Sequence, residues 1–73
     1  MAVTLHPNPA KESVTIENTK VAEVKFYNTL GQLVKTARDT NDINVSDIQE
    51  GLYVLRILDA EGFSFTKRII VAR

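Results

Sequence analysis

Hydrophobic and polar residues alternate along most of the chain, and a period of two indicates β-strands rather than helices. In the segment SVTIE, Val14 and Ile16 face one side and the polar residues around them face the other. No long stretch shows the helical period. The pattern predicts seven strands, at residues 3–5, 13–17, 22–28, 32–37, 43–46, 51–58 and 63–72.

The same alternation predicts which side chains form the core. In the third strand Val24 and Phe26 face inward. The last strand has an inward face of four apolar residues, Phe63, Phe65, Ile69 and Val71. The sixth strand, GLYVLRIL, is apolar on both faces apart from Arg56, which predicts a central strand covered on both sides.

Turn-forming segments separate the strands. In NTLGQ, Gly31 supplies the positive φ of a tight hairpin, and DAEG at residues 59–62 forms a second hairpin turn. We interpret RDTND, residues 38–42, as a solvated loop, and SDIQEG, residues 46–51, as a turn or a single helical turn capped by Ser46. Short strands joined by polar turns predict an all-β fold, a small Ig-like antiparallel β-sandwich of about seven strands.

Two prolines flank Asn8 directly ahead of the second strand. Proline fixes φ, lacks a backbone donor and biases the preceding residue toward extended geometry. The segment Pro7-Asn8-Pro9 is therefore unsuited to a central strand. We expect it to end a short edge strand and to direct the chain into the next strand.

Composition restricts the organisation and the partners. The 73 residues suffice for a single domain, and nine basic against nine acidic residues leave no net charge to attract nucleic acid or an anionic membrane. No apolar run is long enough for membrane insertion, and the N-terminus lacks the pattern of a signal peptide. Met1-Ala2 resembles the start of an artificial expression sequence. If the chain is exported, we expect its export signal on a larger precursor or in the fold itself.

The residues offer little catalytic or metal-binding chemistry. Cysteine is absent and His6 is the only histidine, so a nucleophile would lack a base and a zinc ion would lack ligands. The polar segment at residues 38–47 has oxygen ligands without the spacing of a calcium loop. Lys67-Arg68 near Phe63 and Phe65 is the closest approach to a nucleic-acid site. We expect no catalytic, cofactor-binding or metal-binding residue and no nucleic-acid partner.

Four segments of the chain, taken in order, resemble a known family: HPNPAKESVTI, VKFYNTLGQLV, GLYVLRI and the terminal TKRIIVAR. Together they resemble the type A C-terminal sorting domain of proteins exported by the type IX (Por) secretion system of Bacteroidetes. The resemblance covers residues 5–73. Each segment alone is short, but four in this order and at this spacing are specific.

Carried over residue by residue, the resemblance gives four boxes. The first box is Pro7, Asn8, Pro9 and Ala10 with Ile16, and the second is Tyr27, Asn28, Leu30, Gly31, Gln32 and Val34. The third box is Gly51, Tyr53, Val54 and Ile57, and the terminal box is Lys67, Ile69 and Val71 with a basic end at Arg73. Three positions depart from the family pattern: His6 replaces an aromatic residue, Leu52 an isoleucine, and the VAR ending a valine-lysine ending.

The resemblance implies that the translocon recognises residues of these boxes. The expected recognition residues are Pro7, Asn8, Pro9, Leu30, Gly31, Gln32, Gly51, Tyr53, Lys67, Arg68, Ile69, Val71 and Arg73. For Gly51 and Tyr53 a structural role competes with recognition, and Gly31 is most simply a hairpin glycine. Leu30, at a turn tip, is the residue whose exposure would need a partner to explain it.

For function, the resemblance implies a secretion signal at the end of a larger precursor. The precursor reaches the periplasm through an N-terminal signal peptide, and the C-terminal domain directs the folded cargo through the outer-membrane translocon. A surface sortase-like peptidase usually removes the domain, and the cargo is released or anchored at the cell surface. The domain would then be a substrate of this machinery and not an enzyme.

Two further expectations remain open at the level of sequence. An Ig-like or fibronectin-like accessory domain, for carbohydrate binding or for spacing at the cell surface, is the alternative function, although few aromatic residues are available for a sugar site. The long apolar segment FSFTKRIIVA also suggests a homodimer formed by edge pairing or strand exchange.

Overall fold

The structure, a computed structural model, describes residues 2–73 and contains seven β-strands. They are β1 (Thr4–His6), β2 (Ser13–Glu17), β3 (Val21–Tyr27), β4 (Leu33–Arg38), β5 (Asp42–Asn44), β6 (Gly51–Asp59) and β7 (Ser64–Val71). Every strand therefore lies within two residues of its predicted position. The interpretation of Met1 lies outside the described residues.

The strands form two antiparallel sheets that share one hydrophobic core. One sheet has three strands in the order β1-β2-β5, and the other has four in the order β4-β3-β6-β7. The core takes alternate residues from both sheets, among them Val14, Ile16, Ile43, Val24, Phe26, Leu55 and Ile57, all of them buried. At roughly 1.5–3 kcal/mol for each buried aliphatic or aromatic side chain, this alternation is the main source of stability. The prediction of a small all-β sandwich is confirmed.

The outer face of the four-stranded sheet is uncovered, which corrects the prediction for β6. This strand is central, between β3 and β7, but only its inward face is buried. Leu52 and Leu58 on the other face are each 41% exposed. An apolar sequence on both faces suggested two covering layers, whereas the described chain supplies only one.

The start of the last strand also differs from the prediction. Phe63 precedes β7 and is 62% exposed rather than part of the core. Its N–H donates to the Asp59 carboxylate and its carbonyl accepts the Asp59 N–H, both at 2.9 Å. Phe63 therefore closes the turn. The inward face of β7 consists of Phe65 and Lys67, both half-buried, with the buried Ile69 and Val71.

Two segments between strands differ in part from their interpretations. At residues 46–51 the predicted turn is present, and the Ile48 N–H donates to the Val45 carbonyl at 3.3 Å. No helical turn capped by Ser46 forms: the Ser46 N–H and hydroxyl donate to the Asn44 side-chain oxygen at 2.7 and 2.6 Å. At residues 38–42, Asn41 is half-buried rather than solvated. Its amide donates to the Ile16 carbonyl and accepts the Val21 N–H, so it links the two sheets.

Candidate functional site

The first box and the terminal box lie against each other. Ala10 is fully buried and forms a parallel bridge with Val71. Its N–H donates to the Ile70 carbonyl at 2.7 Å, and its carbonyl accepts the Ala72 N–H at 2.8 Å. The chain after the two prolines therefore acts as a short extra strand on the edge of β7.

The proline segment itself ends an edge strand, as predicted. Pro7, Asn8 and Pro9 follow β1, the edge of the three-stranded sheet, and all three are exposed. Both proline peptide bonds are cis. The Asn8 side-chain oxygen accepts the Ile70 N–H at 3.1 Å. The segment thus passes from the edge of one sheet to the edge of the other. Where it reaches β7, the Asn8 side chain satisfies the outward-facing N–H of Ile70.

The second box is a turn organised by Asn28. Its side-chain oxygen accepts the N–H groups of Leu30 and Gln32, both at 3.0 Å, and its amide donates to the Gln32 side chain at 2.9 Å. Gly31 has a φ of 79°, the positive value predicted for this hairpin. Leu30 is 81% exposed at the tip. The local polar network therefore holds an aliphatic side chain in solvent.

The third box begins beside the chain's last residues. Gly51 is paired with Val71, and the preceding Glu50 accepts the Arg73 N–H at 2.6 Å. The Arg73 guanidinium donates to the Val45 carbonyl at 2.5 Å. Tyr53 is buried, and its hydroxyl donates to the Gln49 carbonyl. The chain end is thus fixed by both its backbone and its side chain.

An open groove joins the second box to the third. It has a volume of about 580 Å³, and its walls include Leu30, Val34, Ile48 and Tyr53. The four boxes consequently meet at one end of the sandwich. We call this region the box end and define it as residues 7–10, 28–32, 50–53 and 70–73.

Not every expected recognition residue lies at the surface of the box end. Tyr53, Ile69 and Val71 are core residues with exposures of 6%, 0% and 1%. Lys67 and Arg68 lie in the middle of β7, opposite Leu55 and Val54. The exposed members are Pro7, Asn8, Pro9, Leu30, Gly31, Gln32, Gly51, Arg68 and Arg73.

Sequence reasoning missed several residues that build the box end. Glu50 holds the terminal backbone, and Asn44, Val45 and Ile48 shape the segment beneath it. For the two hairpin turns, by contrast, the sequence does contain a signal: Asn28 and Asp59 each stand three residues before a glycine. Both turns have the same bonds, because the side-chain oxygen of Asn28 or Asp59 accepts the N–H groups two and four residues later.

Electrostatic contacts near the groove are local pairs. The Lys35 ammonium donates to both carboxylate oxygens of Asp47, at 3.1 and 2.9 Å, and this hydrogen bonding lowers the pKa of Asp47. On the outer face, a hydrogen bond from Arg38 to Glu23 at 2.9 Å is the main cause of a lowered Glu23 pKa. These pairs are exposed at the carboxylate or at the cation, so they orient side chains more than they stabilise the fold.

The candidates for other chemistry are dispersed. His6 contacts Glu17 on an exposed strand face. Asp42 accepts the Thr15 hydroxyl at 2.7 Å, while Asp47 binds Lys35, so the polar loop does not converge on one point. Within residues 2–73, no three His, Asp or Glu side chains are grouped to hold a metal ion. No helix of sufficient length and apolarity to cross a membrane occurs in this range.

A family model described as the secretion system C-terminal sorting domain matches residues 4–72. The chain belongs to this family. No curated protein matches the sequence. As a sorting domain, the chain is a C-terminal signal of the type IX secretion system and belongs with an N-terminal cargo and with the type IX machinery. It directs export toward the cell surface or the extracellular space, and the family is not an enzymatic one. The match gives no support to the accessory-domain alternative.

Proposed function

We propose that the outer-membrane translocon recognises this sorting domain at the box end. The observation that carries the proposal is convergence: four segments far apart in sequence meet on one surface. The Ala10 bridge, the Gly51–Val71 pair and the Arg73–Glu50 bond join the first, third and terminal boxes, and the groove joins the second box to the third. A receptor contacting this end contacts residues from all four boxes only if the domain is folded. Recognition of the box end therefore requires that the sorting domain is folded.

The exposed part of the box end suits a receptor. Among residues 2–73, Leu30 is the most exposed large hydrophobic residue, and the Asn28 bonds hold its turn in one conformation. Pro7 and Pro9 are rigid, and so lose little entropy when they are bound. We infer that Leu30 inserts into an apolar site on the translocon, and that the buried Tyr53, Ile69 and Val71 act by holding the surface in place.

A pair of substitutions tests this role of Leu30. Leu30 and Phe63 are exposed hydrophobic residues in turns with the same bonding plan, one at the end of β3 and the other at the end of β6. Because β3 and β6 are antiparallel, these turns lie at opposite ends of the sheet. We expect Leu30→Asn to reduce surface export of a fused reporter at least tenfold, and Phe63→Asn to leave it within twofold.

Both variants should keep the urea midpoint of the parent, because neither side chain is in the core. Equal export by the two variants, with both folded, would show that the box end is not the recognised surface.

We also propose the route and fate of the chain. It is a single C-terminal module of a larger precursor, the precursor passes through the periplasm, and a surface sortase-like peptidase removes the module afterwards. The chain itself acts as a substrate without catalytic activity. Support comes from the family to which the chain belongs.

A homodimer by edge pairing is a further proposal, limited by the structure to part of β7. Ile70 directs its backbone groups outward to Asn8 and Ala10. Along an edge strand, the backbone N–H and C=O groups of successive residues point alternately toward the paired strand and away from it. The backbone groups of Ser64, Thr66 and Arg68 therefore also point outward, and no described residue pairs with them. Lys67 on the inward face opposes pairing. We expect dimers only at high concentration, and a monomeric mass by light scattering under those conditions would refute them.

A further inference from the structure

The outer face of the four-stranded sheet carries an apolar band bordered by cations. Tyr27 and Val54 are directly opposite each other, and Leu33 is paired with Tyr27 on its other side. In the next row Leu52 is opposite Ile70. Leu33, Leu52 and Ile70 are 41–52% exposed. This outer patch thus extends over all four strands of the sheet.

Two of the cations bordering the outer patch, Arg56 and Lys25, are directly opposite each other. Arg68 lies across from Val54. Like charges in directly opposite positions destabilise a sheet. Lys25 is 3.7 Å from Glu23, but neither Arg56 nor Arg68 forms an ion pair with a described residue. The free domain therefore holds a positive charge here that its own acids do not neutralise.

Two depressions lie beside these cations. One, of about 450 Å³, is lined by Tyr27, Val54 and Arg56 together with the Asn28 turn. The other, of about 340 Å³, is lined by Lys25, Tyr27, Arg56 and Leu58 among others. Tyr27 and Arg56 separate the two. A carboxylate placed at Arg56 would therefore have room for an apolar neighbour on each side.

The opposite face of the sandwich has none of these features. The exposed residues of the three-stranded sheet are all polar: Thr4, His6, Ser13, Glu17, Asp42 and Asn44. Only the four-stranded sheet thus combines aliphatic, tyrosine and arginine side chains, the composition typical of protein interfaces.

We propose that the outer patch binds a protein surface that presents carboxylates beside aliphatic side chains. A carboxylate of the partner pairs with Arg56 and relieves its repulsion with Lys25, and aliphatic side chains cover Tyr27 and Val54. This inference goes beyond recognition of the box end: Leu52 and Ile70 belong to both surfaces, but Tyr27, Val54 and Arg56, which carry the proposal, lie outside the box end.

Photo-crosslinking in a host with a type IX system tests the proposal. The probe is p-benzoylphenylalanine in place of Tyr27, in residues 2–73 fused behind a signal-peptide-bearing reporter. We expect a protein adduct whose cross-linked segment, identified by mass spectrometry, contains carboxylates. The matched control carries the same probe in place of Ser13, on the opposite face, and should give no more than a tenth of that adduct.

A second variant separates binding from folding. Arg56→Glu places a carboxylate opposite Lys25, so its urea midpoint should equal or exceed that of the parent, while the adduct falls at least tenfold. Four outcomes would overturn the proposal: no adduct above the Ser13 control, an adduct to lipid alone, a cross-linked segment without carboxylates, or an adduct that Arg56→Glu leaves unchanged.

Discussion

At the scale of single residues, two side chains determine the hairpin turns of the four-stranded sheet. Asp59 is buried to 8% exposure, and its carboxylate accepts the Thr19 hydroxyl and the N–H groups of Glu61 and Phe63. Asn28 has the corresponding role at the other turn. A short acceptor side chain followed three residues later by glycine thus encodes each turn.

Replacing Asp59 by alanine should destabilise the domain by about 2 kcal/mol, because hydrogen bonds to a charged acceptor are worth roughly 1.5–3 kcal/mol and two backbone donors lose their partner. Urea unfolding measures the change. The control is Glu61→Ala in the same turn, an exposed residue that should shift stability by less than about 0.5 kcal/mol. Similar losses for both variants would refute the role given to Asp59.

Acid should weaken the fold partly through Asp47. Hydrogen bonding from Lys35 lowers its pKa in the folded state, so the ionised form stabilises the fold above the unfolded pKa. That contribution is lost as the pH falls below about 4 and through the folded pKa. We expect Asp47→Asn to flatten the decline in melting temperature between pH 7 and pH 3. A parallel decline in both proteins would contradict this assignment.

At the scale of elements, the edge of β7 is divided into a covered and an open part. Asn8 and Ala10 cover the outer edge from Ile70 to Ala72, whereas from Ser64 to Arg68 the edge that faces away from β6 has no neighbouring strand in the described chain. The first box therefore has a structural role that its position before β2 did not reveal. It completes the edge of the other sheet.

Hydrogen exchange should show this division directly. In dilute protein, the Ile70 and Ala72 amides should exchange at least tenfold more slowly than those of Thr66 and Arg68, because only the former have acceptors. Asn8→Ala should accelerate exchange at Ile70 and leave Ala72 nearly unchanged. Equal protection along all of β7 in a monomeric sample would mean that its edge is covered throughout.

The strands were predictable from sequence for a physical reason. A strand that packs one face against a core has hydrophobic residues at every second position, so the inward residues of β2, β3 and β7 could be identified. Gly31 of the Asn28 turn could be identified from the positive φ that a tight hairpin requires. The exposure of Leu52 and Leu58 was not predictable, because alternation cannot tell whether a second layer exists. The link between Ala10 and β7 depends on sheet topology, which local patterns do not contain.

At the scale of the whole molecule, the sandwich converts four short boxes into one surface. The resemblance gave the family and the exposed Leu30, but it could not show that the boxes meet at one end. The resemblance also could not distinguish residues that a receptor can contact from residues that stabilise the fold. Ile69 and Val71, for example, are buried in the core. Deleting residues 67–73 would remove the edge of the core, so loss of export after that truncation would not identify a recognition site.

The most direct test of the central claim is export by the intact module. Residues 2–73 are fused behind a reporter with a signal peptide, and the reporter is measured at the surface, in the medium and in the periplasm. The host has a type IX system, and a matched strain lacks the translocon. We expect surface or medium reporter in the first strain and periplasmic reporter in the second. Periplasmic reporter in both, with the domain folded, would contradict the account.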